Sequence, residues 1–279
     1  MTDGAIQNRR EELYSLLGRL PARTAPVRCD ILGERDMGGY VLQNLILTID
    51  TTEAEPHCEP IPAFFARPKG AGPFPVILYN HSHGGCYEAG KEELLKPAPY
   101  MTHPGYADVL TGMGFCVFCI DHWCFGERSG RSESSVFKEM LWKGEYLWGR
   151  MIYDSLRALD YVCSRPDVDT ERIGTLGMSM GSTMAWWLAA LDERIKVCVD
   201  ICCLTDYDAL IAPRPHLGTV GMYDALTPPE GVDRIQREVE AVYRRHDAKD
   251  RFQILRYPVA HQETEEMRTA IVEFLKKYL

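Results

Sequence analysis

No apolar run in this 279-residue chain approaches the roughly 18 residues needed to cross a bilayer, so no transmembrane helix is expected. The N-terminus, MTDGAIQNRREELYSLLGRL, places Arg and Glu where a secretory signal requires an apolar stretch, which points to a cytoplasmic protein. Positive charge is in deficit. Thirty-one Lys and Arg stand against 40 Asp and Glu, a formal net charge of −9, and such a chain is a poor match to a polyanionic backbone. Internal repeats, low-complexity tracts and long linkers are missing too, which leaves residues 1–279 as one domain. Cysteine is not scarce, at 10 residues, but a chain of this length buries a core without staples. Free, mostly buried thiols are expected.

Residues 5–19 follow a helical period, with Leu13, Leu16, Leu17 and Leu20 on one side and Pro21 and Pro26 as stops. Residues 1–38 thus read as a helical cap and extension. Two strands of an antiparallel meander follow, Gly39 to Asp50 and Ile61 to Arg67. From Pro75 the rhythm changes to short apolar runs at 76–79, 115–120, 172–178, 195–203, 216–221 and 252–257, each too short for a helix. Helical patterns intervene at 147–163, 181–191, 231–245 and 264–279. Buried runs alternating with helices predict a mostly parallel α/β sheet of eight strands, covered on both faces. Residues 86–105 and 123–146 break the alternation and read as loops over the carboxyl ends of the strands, where sites in open α/β sheets lie.

The strongest chemical signal is Gly177-Met178-Ser179-Met180-Gly181, directly after the strand RIGTLGM and directly before the helix STMAWWLAAL. Small residues at both ends let strand and helix approach around a tight turn. The Ser179 hydroxyl then stands above the sheet edge with a helix N-terminus aimed at it. A serine hydroxyl is a poor nucleophile at neutral pH and needs a base, which an acid must orient. His261, in the loop PVAHQET, is the base in the expected place; His216 begins a strand and His246 sits in the charged helix end RRHDAKD. Asp224, just past the strand at 216–221, is the expected acid, with Asp200, Asp206 and Asp208 as competitors. Acyl transfer also needs amide donors for the oxyanion. Met180 supplies one by following the serine, and the loop Asn80-His81-Ser82-His83-Gly84-Gly85 the other, through His83 or its neighbour Gly84.

Two metal readings fail on spacing. His81-x-His83 has no third ligand nearby, and Cys116-x-x-Cys119 on a strand sends its sulfurs to opposite faces. Neither a metal nor an organic cofactor is expected. Trp186 and Trp187 read as packing residues, Trp123 and Trp142 as candidate walls of an acyl or alcohol pocket.

The segments IGTLGMSMGSTMAWWLAALDERIKV, IDHWCFGER, LIAPRP and DALTPPEGV, with AHQET before the last helix, resemble the α/β-hydrolase superfamily. Within it the chain is most similar to the branch of dienelactone hydrolase-like and acetyl xylan esterase-like proteins, over about residues 60–279. The resemblance implies an α/β-hydrolase fold, Ser179 as nucleophile, Asp224 as acid, His261 as base, and the His83 and Met180 amides as oxyanion hole. Dienelactone hydrolases proper carry cysteine where this chain has Ser179. The expected function is that of a serine carboxylesterase acting on small carboxylic esters through an acyl-enzyme. A prolyl-oligopeptidase-like peptidase or amidase uses the same three residues, and a catalytically silent binding protein uses the same fold. The partners expected are a small-molecule ester and at most further copies of the chain, with no nucleic acid and no membrane.

Overall fold

A computed structural model describes residues 3–50, 56–203 and 209–279. Nine strands build one sheet: β1 (Val27–Asp36), β2 (Tyr40–Ile49), β3 (Ile61–Pro68), β4 (Phe74–Asn80), β5 (Cys116–Ile120), β6 (Val168–Met178), β7 (Ile195–Ile201), β8 (His216–Gly221) and β9 (Phe252–Tyr257). They lie in the order β1-β2-β3-β5-β4-β6-β7-β8-β9. The pairings among β1, β2, β3 and β5 are antiparallel, and those from β5 through β4 to β9 are parallel.

The sequence predicts eight strands, and β1 is the ninth. VRCDILGERD escapes the pattern because an edge strand need bury neither face: its residues from Cys29 on are almost all exposed, Ile31 and Leu32 included. A register shift between Ile31 and Gly33 breaks its alternation further.

Helix α1 (Asp3–Ser15) stops four residues before the predicted end. Leu13 and Leu17 are buried, but Leu16 is half exposed, because the chain leaves the helical period there. Helices α4 (Leu147–Ser164) and α5 (Met180–Leu191) cover one face of the sheet; α2 (Tyr106–Gly112) and α7 (Glu265–Tyr278) cover the other. Helix α6 (Pro229–Arg245) packs its Val239 and Tyr243 over Phe252 of β9. Strand β5 displays the two-sided burial: Cys116, Phe118 and Ile120 join one core, Val117 and Cys119 the other. Cys116 and Cys119 therefore do face opposite ways, and no disulfide joins any of the ten cysteines.

Two stretches read as loops carry structure. Residues 123–146 hold a short 3-10 turn at Gly126–Arg128 and helix α3 (Glu133–Trp142), which buries Val136 and Met140, one turn apart. Ser132 caps α3 by accepting from the Ser135 N–H. Residues 86–105 hold a 3-10 turn at Gly90–Leu94. Among the described residues no helix is long and apolar enough to cross a membrane.

Chain order reverses around β4, which lies between β5 and β6. Such a reversal opens a crevice at the carboxyl ends of the strands. Register puts Asn80 beside Gly177 and Met178 beside Ile201 at that crevice.

Candidate active site

Ser179 connects β6 to α5 with φ 57° and ψ −117°, a conformation that non-glycine residues rarely adopt. Its own N–H donates to the Ile201 carbonyl at 2.9 Å, which helps to hold the turn. A Cβ on Gly181 would lie 2.0 Å from the Asn80 carbonyl oxygen, and one on Gly177 2.2 Å from the Gly181 carbonyl oxygen. Only glycine fits at either place. Met180 opens α5, so its N–H has no acceptor within the helix and stays available beside the serine.

Asp224 lies just past β8, almost completely buried, and its Oδ2 meets the Nδ1 of His261 at 2.7 Å. The Thr227 hydroxyl also donates to Oδ2, at 2.7 Å, and the Leu226 N–H to Oδ1, at 2.8 Å. Burial pushes this carboxyl up, but the hydrogen bonds from Thr227, His261 and Leu226 outweigh it and hold Asp224 below the ordinary carboxylate value. The backbone brings this pair to the elbow. Cys202 follows Ile201, the residue that receives the Ser179 N–H, and Cys202 donates its own N–H to Thr219 of β8 at 2.8 Å. The Cys202 sulfur, an Asp224 oxygen and a His261 nitrogen all lie within 4.8 Å of one another. The Ser179 hydroxyl itself forms no hydrogen bond to His261 in this structure, a common state before substrate arrives.

The loop after β4 passes the same place. His81 is buried, its Nδ1 donating to the Ser82 carbonyl at 2.9 Å and its Nε2 accepting the His122 N–H at 3.2 Å. These roles fix one neutral tautomer. His83 stands further out, with Nδ1 accepting the Gly85 N–H at 3.1 Å and Nε2 3.2 Å from Glu133 at the start of α3. The buried His122 ring packs 4.7 Å from that of His81, and both of its nitrogens lack a protein partner.

Burial depresses both His81 and His122 below the ordinary imidazole value of 6.5. On acidification the unfolded chain takes up these protons first, so their stabilisation is complete above about pH 6.5 and is withdrawn as the pH falls toward the native values. Melting temperature should accordingly drop between pH 7.5 and 5, and His122→Phe should make that drop smaller. An identical drop in the variant would refute the assignment to His122.

Residues 86–105 brace the site from the side. Glu93 takes hydrogen bonds from Ser82 and Tyr79, and the Tyr100 hydroxyl meets that of Ser82. The Tyr100 carbonyl accepts the Glu263 N–H at 2.8 Å, two residues beyond His261. Glu263 is buried against Arg268, with additional hydrogen bonds from Thr102 and Tyr106. Sequence reasoning missed Glu93 and Glu263, because acidic residues in polar segments such as GKEELLK and HQETEE read as solvated.

The other sequence candidates separate from this site. Asp200 pairs with His216 at 2.5 Å in the fully buried space between β7 and β8, where burial raises the Asp200 carboxyl. Asp206 and Asp208 lie outside the described residues. His246 ends α6. Trp186 and Trp187 pack as predicted, stacked at 4.9 Å. Trp123 is buried under Arg128, whereas Trp142 is 91% exposed. A cleft of about 400 Å³ beside the loop that follows β4 is lined by Tyr87, Cys124, Ser129, Arg131, Ser132 and Glu133. Metal-ligating side chains converge in two places among the described residues, Cys198 with Asp200 and His216, and Cys202 with Asp224 and His261. In both, carboxylate and imidazole approach to 2.5 or 2.7 Å, a proton-sharing distance shorter than two ligands of a tetrahedral zinc adopt.

A sequence family described as Acetyl xylan esterase (AXE1) matches residues 54–216. A protein of Bacillus subtilis (strain 168) described as "Putative hydrolase YtaP" is 44% identical, over 97% of this chain and 99% of the relative. Among solved structures, the glucuronoyl esterase from Solibacter usitatus superposes with a TM-score of 0.69 at 16% identity, over 96% of this chain and 91% of that one. Acetyl xylan esterase 1 from Thermoanaerobacterium sp. JW/SL YS485 gives 0.66 at 16% identity, over 98% and 93%. At such identity the likeness is one of fold, that of α/β-hydrolases. The chain belongs to the acetyl xylan esterase (AXE1) family and is a carboxylic ester hydrolase with the α/β-hydrolase fold.

Proposed function

We propose that the protein hydrolyses small carboxylic esters, acetyl esters foremost, with Ser179 as nucleophile, His261 as base and Asp224 as acid. The observation that carries this reading is the 2.7 Å Asp224–His261 hydrogen bond beside the constrained Ser179 turn. Asp224 holds the imidazole with Nδ1–H inward, which leaves Nε2 to accept the serine proton. As substrate enters, the Ser179–His261 hydrogen bond closes and the serine oxygen attacks the ester carbonyl. The Met180 and His83 amides receive the oxyanion. His261 then protonates the departing alcohol, and in the second half it takes a proton from water as that water attacks the acyl-enzyme. The polar cleft next to His83, rich in hydroxyls and carrying Arg131 and Glu133, suits a hydroxylated alcohol better than a fatty chain.

Hydrolysis of p-nitrophenyl esters across acyl lengths, alongside a p-nitroanilide, tests this reading. The acetyl ester should turn over fastest, with kcat/KM falling at least about tenfold by octanoyl and the anilide left intact. Efficient anilide cleavage would favour the peptidase reading, and no turnover of any ester would favour a silent fold.

A further inference from the structure

We propose that Glu93 is the positioning residue of the oxyanion hole, fixing the direction in which the His83 amide points; this rests on the assignment of Ser179 and His83 above. The His83 N–H belongs to the peptide plane whose carbonyl is that of Ser82, so whatever fixes Ser82 on both sides aims the donor. On the carbonyl side, the His81 Nδ1–H holds the Ser82 oxygen at 2.9 Å. On the amide side, Glu93 accepts the Ser82 N–H at 2.9 Å through Oε1 and the Ser82 hydroxyl through Oε2. Tyr79 donates to the same Oε1 at 2.8 Å, and the Tyr100 hydroxyl closes on the Ser82 oxygen from outside.

A carboxylate satisfies every donor at this place. It only accepts, and the Ser82 N–H, the Ser82 hydroxyl and the Tyr79 hydroxyl all donate to it. At 4% exposure those lone pairs are shielded from bulk water. The carboxylate is itself delivered by a fixed element: in the 3-10 turn at Gly90–Leu94, the Lys91 N–H donates to Asp121 Oδ1 at 2.6 Å and the Lys91 ammonium meets Asp121 Oδ2 at 2.8 Å. Asp121 is fully buried at the end of β5. Beyond His83 the chain turns at Gly84 with φ +50°, so the grip on Ser82 is what constrains the donor from the N-terminal side.

The test compares Glu93→Ala, Glu93→Gln and Ser82→Ala with wild type, measuring kcat and KM on p-nitrophenyl acetate and the affinity of a trifluoromethyl ketone that forms a tetrahedral adduct. Glu93→Ala should lower kcat on the order of ten- to a hundredfold with KM changed less than about threefold, and ketone affinity should fall in proportion to kcat/KM. Glu93→Gln, which keeps an acceptor for the Ser82 N–H, should recover to within about fivefold of wild type. Ser82→Ala removes only the hydroxyl half of the grip and should show a smaller parallel loss in both readouts, which keeps the test sound if Glu93→Ala does not fold. Unchanged kcat in folded Glu93→Ala or Ser82→Ala, a loss confined to KM, or a Gln variant as impaired as the Ala variant would overturn the proposal. Undiminished turnover by Ser179→Ala overturns the underlying assignment and this inference with it; an inactive Ser179→Ala beside an unimpaired Glu93→Ala overturns the inference alone.

Discussion

Ser179→Ala is expected to lose on the order of 10⁴- to 10⁶-fold in kcat on an acetyl ester while its melting temperature stays within a few degrees of wild type. The variant keeps the glycines that permit the turn and the Ile201 carbonyl that receives the residue-179 N–H, so the fold has no reason to change. On the proposed mechanism what disappears is the attacking oxygen, leaving only water near two amides. His261→Ala should cost a similar factor, and the double variant hardly more, because the two groups act as one unit. Asp224→Asn should cost on the order of 10⁴-fold, since an amide at that position can present its NH2 to Nδ1 and favour the wrong tautomer. Full additivity in the Ser179, His261 double variant would mean the two residues do not share a step.

Arg268→Ala is expected to destabilise the protein by about 3–5 kcal/mol, read from urea unfolding. The guanidinium makes a two-pronged contact with the buried Glu263 carboxylate, Nε to Oε1 at 2.7 Å and Nη2 to Oε2 at 2.6 Å. It also donates to the Pro104 and Thr102 carbonyls and lies 3.8 Å from the centre of the Tyr106 ring. Deleting it strands a carboxylate that has no solvent to turn to and leaves only Thr102 and Tyr106 as donors. Because the Glu263 N–H anchors residues 86–105 and Glu263 follows His261 by two positions, kcat should fall as well. Arg268→Lys retains one charge but not the fork, and should recover less than half of the loss. A loss below about 1 kcal/mol in Arg268→Ala would show that Glu263 is supported some other way.

The parallel half of the sheet is legible in the sequence because strands covered on both faces must be continuously apolar, as VILY and FCVFCI are. Strand β1 is not legible, since an exposed edge imposes no such requirement. Helix α3 did leave a signal, Ser132 as cap and Val136 with Met140 one turn apart, but the charged residues around it hid the pattern. At the site, Ser179 stands out because strand, glycines and helix are contiguous in the chain. Asp224 and His261 follow from where strands end. Glu93, Glu263 and Arg268 do not: Glu263 and Arg268 are buried by Thr102 and its neighbours, far off in sequence, and Glu93 by a chain reversal that returns it to Ser82, and a charged residue carries no mark of what will later cover it.

Fluorophosphonate labelling followed by intact-mass measurement and peptide mapping tests the nucleophile most directly. The account predicts one adduct per chain, confined to Ser179, absent from Ser179→Ala and at least about a hundredfold slower to form in His261→Ala. An adduct on another residue, or equal labelling of wild type and Ser179→Ala, would contradict it.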